Sequence, residues 1–201
     1  MLTAGLTGGL ACGKTFVGRA LASLGCHLIL ADELGHAVLM PGAEAYDATV
    51  REFGARILRG DGTIDRRLLA SEVFGKPERL EVLNAIVHPA VFRREDALIR
   101  EAASRDSRGI AVVEAAILIE TGSYRKFDRL IVVISSEELQ VRRALDRDGL
   151  TRDEVLARLK RQMPAAGKLK FADYVIDTSG VETDTLRQIR EVFDALKRLA
   201  L

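Results

Sequence analysis

Eight residues near the start of the chain, Gly8-Gly9-Leu10-Ala11-Cys12-Gly13-Lys14-Thr15, fit the pattern G-x-x-x-x-G-K-[ST]. The chemistry this spacing supports is the grip of a nucleoside triphosphate with Mg2+. Gly8 and Gly13 permit backbone angles that a side chain would forbid, so amide N–H groups can turn inward around phosphate oxygens. A helix starting near Gly13 aims its positive end at the same oxygens. Lys14 is expected to reach the β- and γ-phosphates, and the Thr15 hydroxyl to ligate Mg2+. Gly8, Gly9, Leu10, Ala11, Cys12, Gly13, Lys14, Thr15 and Phe16 are therefore the expected nucleotide-binding residues. Chance would produce the pattern in a chain of this length about once in a hundred or less.

A phosphate donor needs an acceptor. The apolar run Leu28-Ile29-Leu30-Ala31 stops at Asp32, which is expected to orient an acceptor hydroxyl. With an ordinary pKa of about 3.9, Asp32 takes that proton only late, as bond formation to phosphorus acidifies it, so catalysis rests on positioning and charge stabilisation. The other reading of Asp32 is an N-cap for a helix beginning at Glu33. Arg143 and Arg147 are four apart and share a helix face. A basic face beside a triphosphate suits a closing lid, whereas Arg152 and Arg161 read as solvated. His88, before Pro89, reads as a structural hydrogen-bonding residue or as a substrate contact. Cys12 reads as an inert small residue, or as a thiol made reactive by the helix N-terminus.

The elements that must position these groups alternate. Strands are expected at 2–6, His27–Leu30, Ile110–Glu114, 130–134 and 174–176. Helical patterns are expected at 14–24, 43–53, 66–74, 77–87, 89–103, 137–147 and 151–162, with Thr151 and Glu154 at capping-box spacing. A last helix carries Leu186, Ile189, Val192, Phe193, Leu196 and Leu199 on one face. Strand–helix alternation predicts an α/β fold, a three-layer phosphate-loop architecture with a parallel sheet. Ligands then bind at the carboxyl ends of the strands. The single domain divides into a core of about residues 1–42, 104–136 and 171–201, a helical substrate-binding insertion at about 43–103, and a helical lid at about 137–170.

Composition excludes several classes. The 201 residues are 48% hydrophobic and 29% charged, with a formal net charge of +1. Neither a nucleic-acid partner nor a membrane surface is expected. No apolar run approaches membrane-spanning length and no basic leader precedes one. Two cysteines make no disulfide framework, so free thiols in a cytoplasmic protein are expected. A monomer or a weak homo-oligomer is expected.

A phosphate loop alone covers kinases, GTPases and motors. The nearest approach to a guanine-reading N/T-K-x-D is Arg125-Lys126-Phe127-Asp128, which lacks the first residue. A small metabolite kinase fits best. Further pieces make the chain resemble the dephospho-CoA kinase family over essentially its whole length. The opening Leu6-Thr7-Gly8-Gly9-Leu10-Ala11-Cys12-Gly13-Lys14-Thr15 is similar to LTGGIGSGKS, and Ala31-Asp32 to the end of D-A-D. The run from Asp61 to Leu69 resembles D-G-x-L-x-R-x-x-L, and that from Leu83 to Pro89 resembles L-N-x-I-x-H-P. Gln140, Arg143, Arg147, Arg158 and Gln162-Met163-Pro164 match the lid pattern, and Ala172-Asp173-Tyr174-Val175-Ile176-Asp177 the late A-D-x-V-I-D strand.

The resemblance implies transfer of the ATP γ-phosphoryl, with Mg2+, to the ribose 3′-hydroxyl of dephospho-CoA. It implies Asp32 as catalytic carboxylate, Arg66 and His88 as substrate-holding residues, and Arg143 and Arg147 closing over the phosphates. The chain departs from the pattern at Ala11-Cys12 (usually Gly-Ser), at Leu30 (usually Asp), in the missing proline after Glu114, and at Thr178 (usually Asn). The other readings are a different small phosphate-loop kinase, or a nucleotide switch without kinase activity.

Overall fold

Three runs, two of them rich in Val and Ile and the first built of Leu, Thr, Ala and Gly, form the buried centre of a five-stranded parallel sheet. They are β1 (Leu2–Gly8), β3 (Ile110–Glu114) and β4 (Arg129–Ile134). Shorter β2 (His27–Leu30) and β5 (Tyr174–Asp177) lie at the edges, giving the order β2-β3-β1-β4-β5. All five strands fall where the sequence predicts them, to within two residues at their ends. The computed structural model describes residues 1–148 and 151–200, the side chains of Arg147, Asp148 and Arg161 excepted. Two compact units divide it, Met1–Leu30 with Arg100–Leu201, and Ala31–Ile99.

In the first unit, helices α1 (Lys14–Ser23) and α9 (Glu182–Leu199) cover one sheet face. Val17 and Leu21 pack with Ile189, Val192, Phe193 and Leu196 over Leu6, Val112, Ile131 and Ile176. Leu186 and Leu199, expected on that stripe, stay 42% and 47% exposed, because they flank the face that meets the sheet. From β1 the chain passes to β2 and β3 on one side, then crosses to β4 on the other. Strand order therefore reverses at β1, the place where open parallel sheets bind ligands. Helices α6 (Glu137–Asp148), α7 (Arg152–Arg161) and α8 (Ala165–Leu169) follow β4. The Thr151–Glu154 capping box forms as predicted, while α8 was not expected from the sequence.

The second unit is helical: α2 (Ala31–Ala37), α3 (Tyr46–Phe53), α4 (Arg66–Val73) and most of α5 (Pro77–Arg105). Pro89 was expected to separate two helices, yet it lies inside the single α5. An interior proline costs about 3 kcal/mol. Here the two residues after it, Ala90 and Val91, are buried against Val38 and Ala45, which opposes that cost. Phe53, Ile57, Ile64 and Leu69 make a second small core.

Candidate functional site

The loop joining β1 to α1 has the backbone of an anion cradle. Gly13 is the N-cap of α1 at φ 88°, where a side chain is disfavoured. The need for Gly8 is different from the one expected. Its φ is not positive; instead a Cβ there would lie 2.3 Å from the Val133 carbonyl oxygen and 2.6 Å from Cys12 Sγ. Close approach, not a special dihedral angle, demands glycine. Ala11 sits at φ 52°, a conformation costing a non-glycine residue about 1–2 kcal/mol. The usual family glycine at this position thereby has a physical reason.

Lys14 Nζ donates to the carbonyls of Gly8 and Gly9 at 3.2 and 3.0 Å, so the ammonium lies back along the loop. Leu10 N–H donates to Gln162 Oε1 at 2.8 Å. Phe16 points outward, 39% exposed. Cys12 is wholly buried among Leu6, Val17 and Val133. Burial pushes its thiol above the ordinary value, against the lowering pull of the Lys14 charge. Of the two readings of Cys12, the inert one stands. Cys26 is pushed up to about 12 by burial as well.

Sequence reasoning missed Glu114. It ends β3 beside β1, is buried, and accepts a hydrogen bond from Thr15 Oγ1 at 2.9 Å on Oε1. Gly18 makes room for it: a Cβ there would stand 3.1 Å from Glu114 Oε2. The available signal was an acid closing the otherwise apolar run Ile110-Ala111-Val112-Val113. A hydroxyl and a carboxylate are hard oxygen donors, the set that suits a Mg2+ otherwise coordinated by phosphates and water. The donor set thus fits the ion.

Beyond β4, Gln140 is buried, donating through Nε2 to the Ser135 carbonyl at 2.8 Å. Arg143 is half-buried. Its Nη1 donates to Thr178 Oγ1 at 2.9 Å and Ser135 Oγ at 3.3 Å, and its Nη2 to the Thr178 carbonyl at 2.9 Å. Arg147 belongs to α6, but its side chain lies outside the described residues. Lys168 is buried, with its ammonium 2.5 Å from Glu120 Oε1. Gly9, Ser135, Gln140, Gln162, Met163 and Lys168 are among the residues that line a cavity of about 490 Å3. The nucleotide-loop residues and Arg143 therefore come together within one unit.

The remaining expected residues belong to the helical unit. Asp32 is an exposed residue in the first turn of α2. One turn on, His36 Nδ1 lies 3.5 Å from Arg66 Nη1. Burial and then the Arg66 charge hold the His36 pKa below its ordinary value, while Asp32 and Glu33 pull it back up. Asp32, His36 and Arg66 thus form one electrostatic group, in which His36 went unforeseen although it stands four residues after Asp32. The start of α4 places Arg66. Asp65 is the N-cap and accepts from Arg67 N–H and Leu68 N–H. His88 is half-buried, 6.0 Å from the Phe92 ring between centroids, and burial lowers its pKa. Its helix packs against Leu34 of α2 and Val38 just beyond it.

Among the described residues no cluster of three or more His, Cys, Asp or Glu could hold a metal, and no helix is long and apolar enough to cross a membrane. Comparison with known proteins gives a concordant result. A family model described as dephospho-CoA kinase matches residues 2–184. The dephospho-CoA kinase of Geobacillus kaustophilus is 40% identical over 200 residues, 98% of this chain and 99% of that one. Among solved structures, TT1252 from Thermus thermophilus superposes with a TM-score of 0.83 at 33% identity, covering 96% of both chains. Dephospho-CoA kinase from Campylobacter jejuni does so with a TM-score of 0.71 at 26% identity, covering 99% of this chain and 98% of that one.

Proposed function

The chain belongs to the dephospho-CoA kinase family, and from that premise we propose how its own residues carry the ATP-dependent phosphorylation of dephospho-CoA. The observation that carries the nucleotide half is the geometry of the loop. Gly13 caps α1, Lys14 follows it, and the Thr15 hydroxyl meets the Glu114 carboxylate at 2.9 Å.

In this reading the ribose 3′-oxygen of dephospho-CoA attacks the γ-phosphorus of ATP. The bond from that phosphorus to the β,γ-bridging oxygen breaks, and ADP leaves. Asp32 orients the 3′-hydroxyl and receives its proton late. Lys14 leaves the Gly8 and Gly9 carbonyls for the β- and γ-phosphate oxygens, exchanging neutral acceptors for charged ones, which are about twice as strong. Arg143 and Arg147 stabilise charge on the transferring group. A single arginine in that role is worth about 10³–10⁵ in rate. Thr15 and Glu114 would hold Mg2+, which supplies neutralisation of phosphate charge when bound. Arg66 and His88, in the helical unit 31–99, hold dephospho-CoA, and residues 137–170 serve as lid. Two free, buried cysteines support a cytoplasmic protein, and an even charge balance supports small molecules and not nucleic acid as its partners; a monomer or weak homo-oligomer is expected.

The test is ADP release with dephospho-CoA and a panel of rival acceptors: a nucleoside, a nucleoside monophosphate, shikimate and gluconate. Dephospho-CoA is expected to exceed every rival in kcat/KM by orders of magnitude. A rival that matches it overturns the acceptor assignment.

A further inference from the structure

One buried side chain links the phosphate loop, the sheet and the lid arginine. Thr178 follows β5 and is 4% exposed. Its backbone N–H donates to the Ile134 carbonyl at 3.0 Å, anchoring it to the end of β4. Its hydroxyl donates to the Cys12 carbonyl at 2.8 Å. The same oxygen accepts from Arg143 Nη1 at 2.9 Å, while the Thr178 carbonyl accepts from Arg143 Nη2 at 2.9 Å. A hydroxyl has one proton to give and lone pairs to receive; the Cys12 carbonyl at 2.8 Å lies nearer to it than the other acceptor, the Ile134 carbonyl at 3.3 Å, so the two side-chain bonds are compatible. They form a directed relay from guanidinium to hydroxyl to loop carbonyl, in which each bond polarises the next.

The consequence lies in the peptide that the relay grips. A trans peptide is planar, with its C=O and N–H pointing in opposite directions. Pinning the Cys12 carbonyl outward on Thr178 therefore turns the Gly13 N–H to the opposite side, into the loop. Gly13 lies directly beside the relay: a Cβ there would meet Thr178 at 3.4 Å, ordinary contact distance. We propose that Thr178 is a positioning residue for the nucleotide phosphates, fixing the direction of the Gly13 amide and the place of Arg143 through one hydrogen-bond relay. The proposal rests on the nucleotide-site reading above and extends it to a residue outside the loop.

Two substitutions separate the hydroxyl from its volume. Thr178→Val keeps the shape and removes the relay; Thr178→Ser keeps the relay. Calorimetry with ATP and ADP, and steady-state kinetics, are run on both. Thr178→Val is expected to weaken both nucleotides about tenfold, the worth of one charge-assisted hydrogen bond, with KM for dephospho-CoA unmoved. Thr178→Ser recovers most of that loss. In a double-mutant cycle, Thr178→Val and Arg143→Ala combine to less than the product of their separate effects, because both cut the same relay. The Gly13 amide proton, read by NMR, moves downfield on ADP addition in the native enzyme and in Thr178→Ser, and moves less in Thr178→Val.

Native nucleotide affinity in Thr178→Val overturns the proposal. So does a Thr178→Ser enzyme as weak as Thr178→Val, or a cycle whose effects multiply independently. Lys14→Ala is the reference arm. If it keeps native ATP affinity, the loop reading itself fails. If Lys14→Ala loses ATP while Thr178→Val does not, only the relay fails.

Discussion

Gly8→Ala tests the claim that the phosphate loop is set by close packing. Gly8 pairs with Val133 across β1 and β4. The added methyl would stand 2.3 Å from the Val133 carbonyl oxygen and 2.6 Å from Cys12 Sγ, whereas ordinary contact begins at 3.4 Å. The shortfall is about 1 Å against rigid backbone, on the steep repulsive wall where no dispersion gain survives. Either the end of β1 separates from β4 or the loop shifts outward by a similar distance. Overpacking of this kind costs about 2 kcal/mol, which in a chain of this size lowers Tm by about 4–8 °C. A displacement near 1 Å of groups that hold the reacting phosphate costs about 10²-fold in kcat/KM. The assays are calorimetric melting and coupled ADP release with ATP varied. Gly35→Ala is the internal comparison: Gly35 lies inside α2 with nothing within 4 Å of its missing Cβ. There the methyl is expected to stabilise by about 0.5–1 kcal/mol. A Gly8→Ala enzyme with native Tm and native kcat/KM would refute the packing argument.

Four further outcomes follow from the geometry. Asp32→Asn is expected to lower kcat by at least about 10²-fold while ATP affinity holds; a change confined to KM for dephospho-CoA would make Asp32 an anchor and not a base. Glu114→Gln should raise the Mg2+ concentration needed for half-maximal rate, since the carboxylate facing Thr15 loses its charge; an unchanged Mg2+ curve removes Glu114 from the ion's site. Cys12 and Cys26 are buried with raised pKa values, so iodoacetamide at pH 8 should label neither until urea unfolds the chain; stoichiometric labelling of the native enzyme contradicts the burial. His88 has a folded pKa below its ordinary 6.5, so the unfolded chain binds the proton more readily. Its contribution is complete above about pH 6.5 and is lost as pH falls below it. Urea midpoints of His88→Gln between pH 8 and 5 should therefore decline less than those of the native chain.

The strands were legible because parallel strands covered on both faces are written as continuous apolar runs, and β3 and β4 are nearly pure examples. The loop was legible because Gly13 and Lys14 answer to local demands, the helix start and the charge, although Gly8 answers to Val133 across the sheet. Pro89 was misread because its local rule, a helix break, yielded to packing of Ala90 and Val91 that only the folded unit supplies. Helix α8 carries too short a pattern, Ala165–Leu169, for any periodicity to show. The place of Glu114 was hidden because it follows from the pairing of β3 with β1, which brings the carboxylate to the Thr15 hydroxyl.

What remained hidden has a common cause. A loop motif states which groups are present but not which way its amides face, and anion binding depends on direction. In this chain the directions come from far away in sequence. Leu10 N–H is held by Gln162, 152 residues on, and the Cys12 carbonyl by Thr178, 166 residues on. Gln162 holds the peptide whose Gly9 carbonyl accepts from Lys14, and Thr178 holds the carbonyl of the peptide that carries the Gly13 N–H. Both partners flank α8 and β5, the last elements before α9. The loop motif is thus written at the N-terminus, while the partners that hold its peptides come from the segments after α7 and β5 of the same unit.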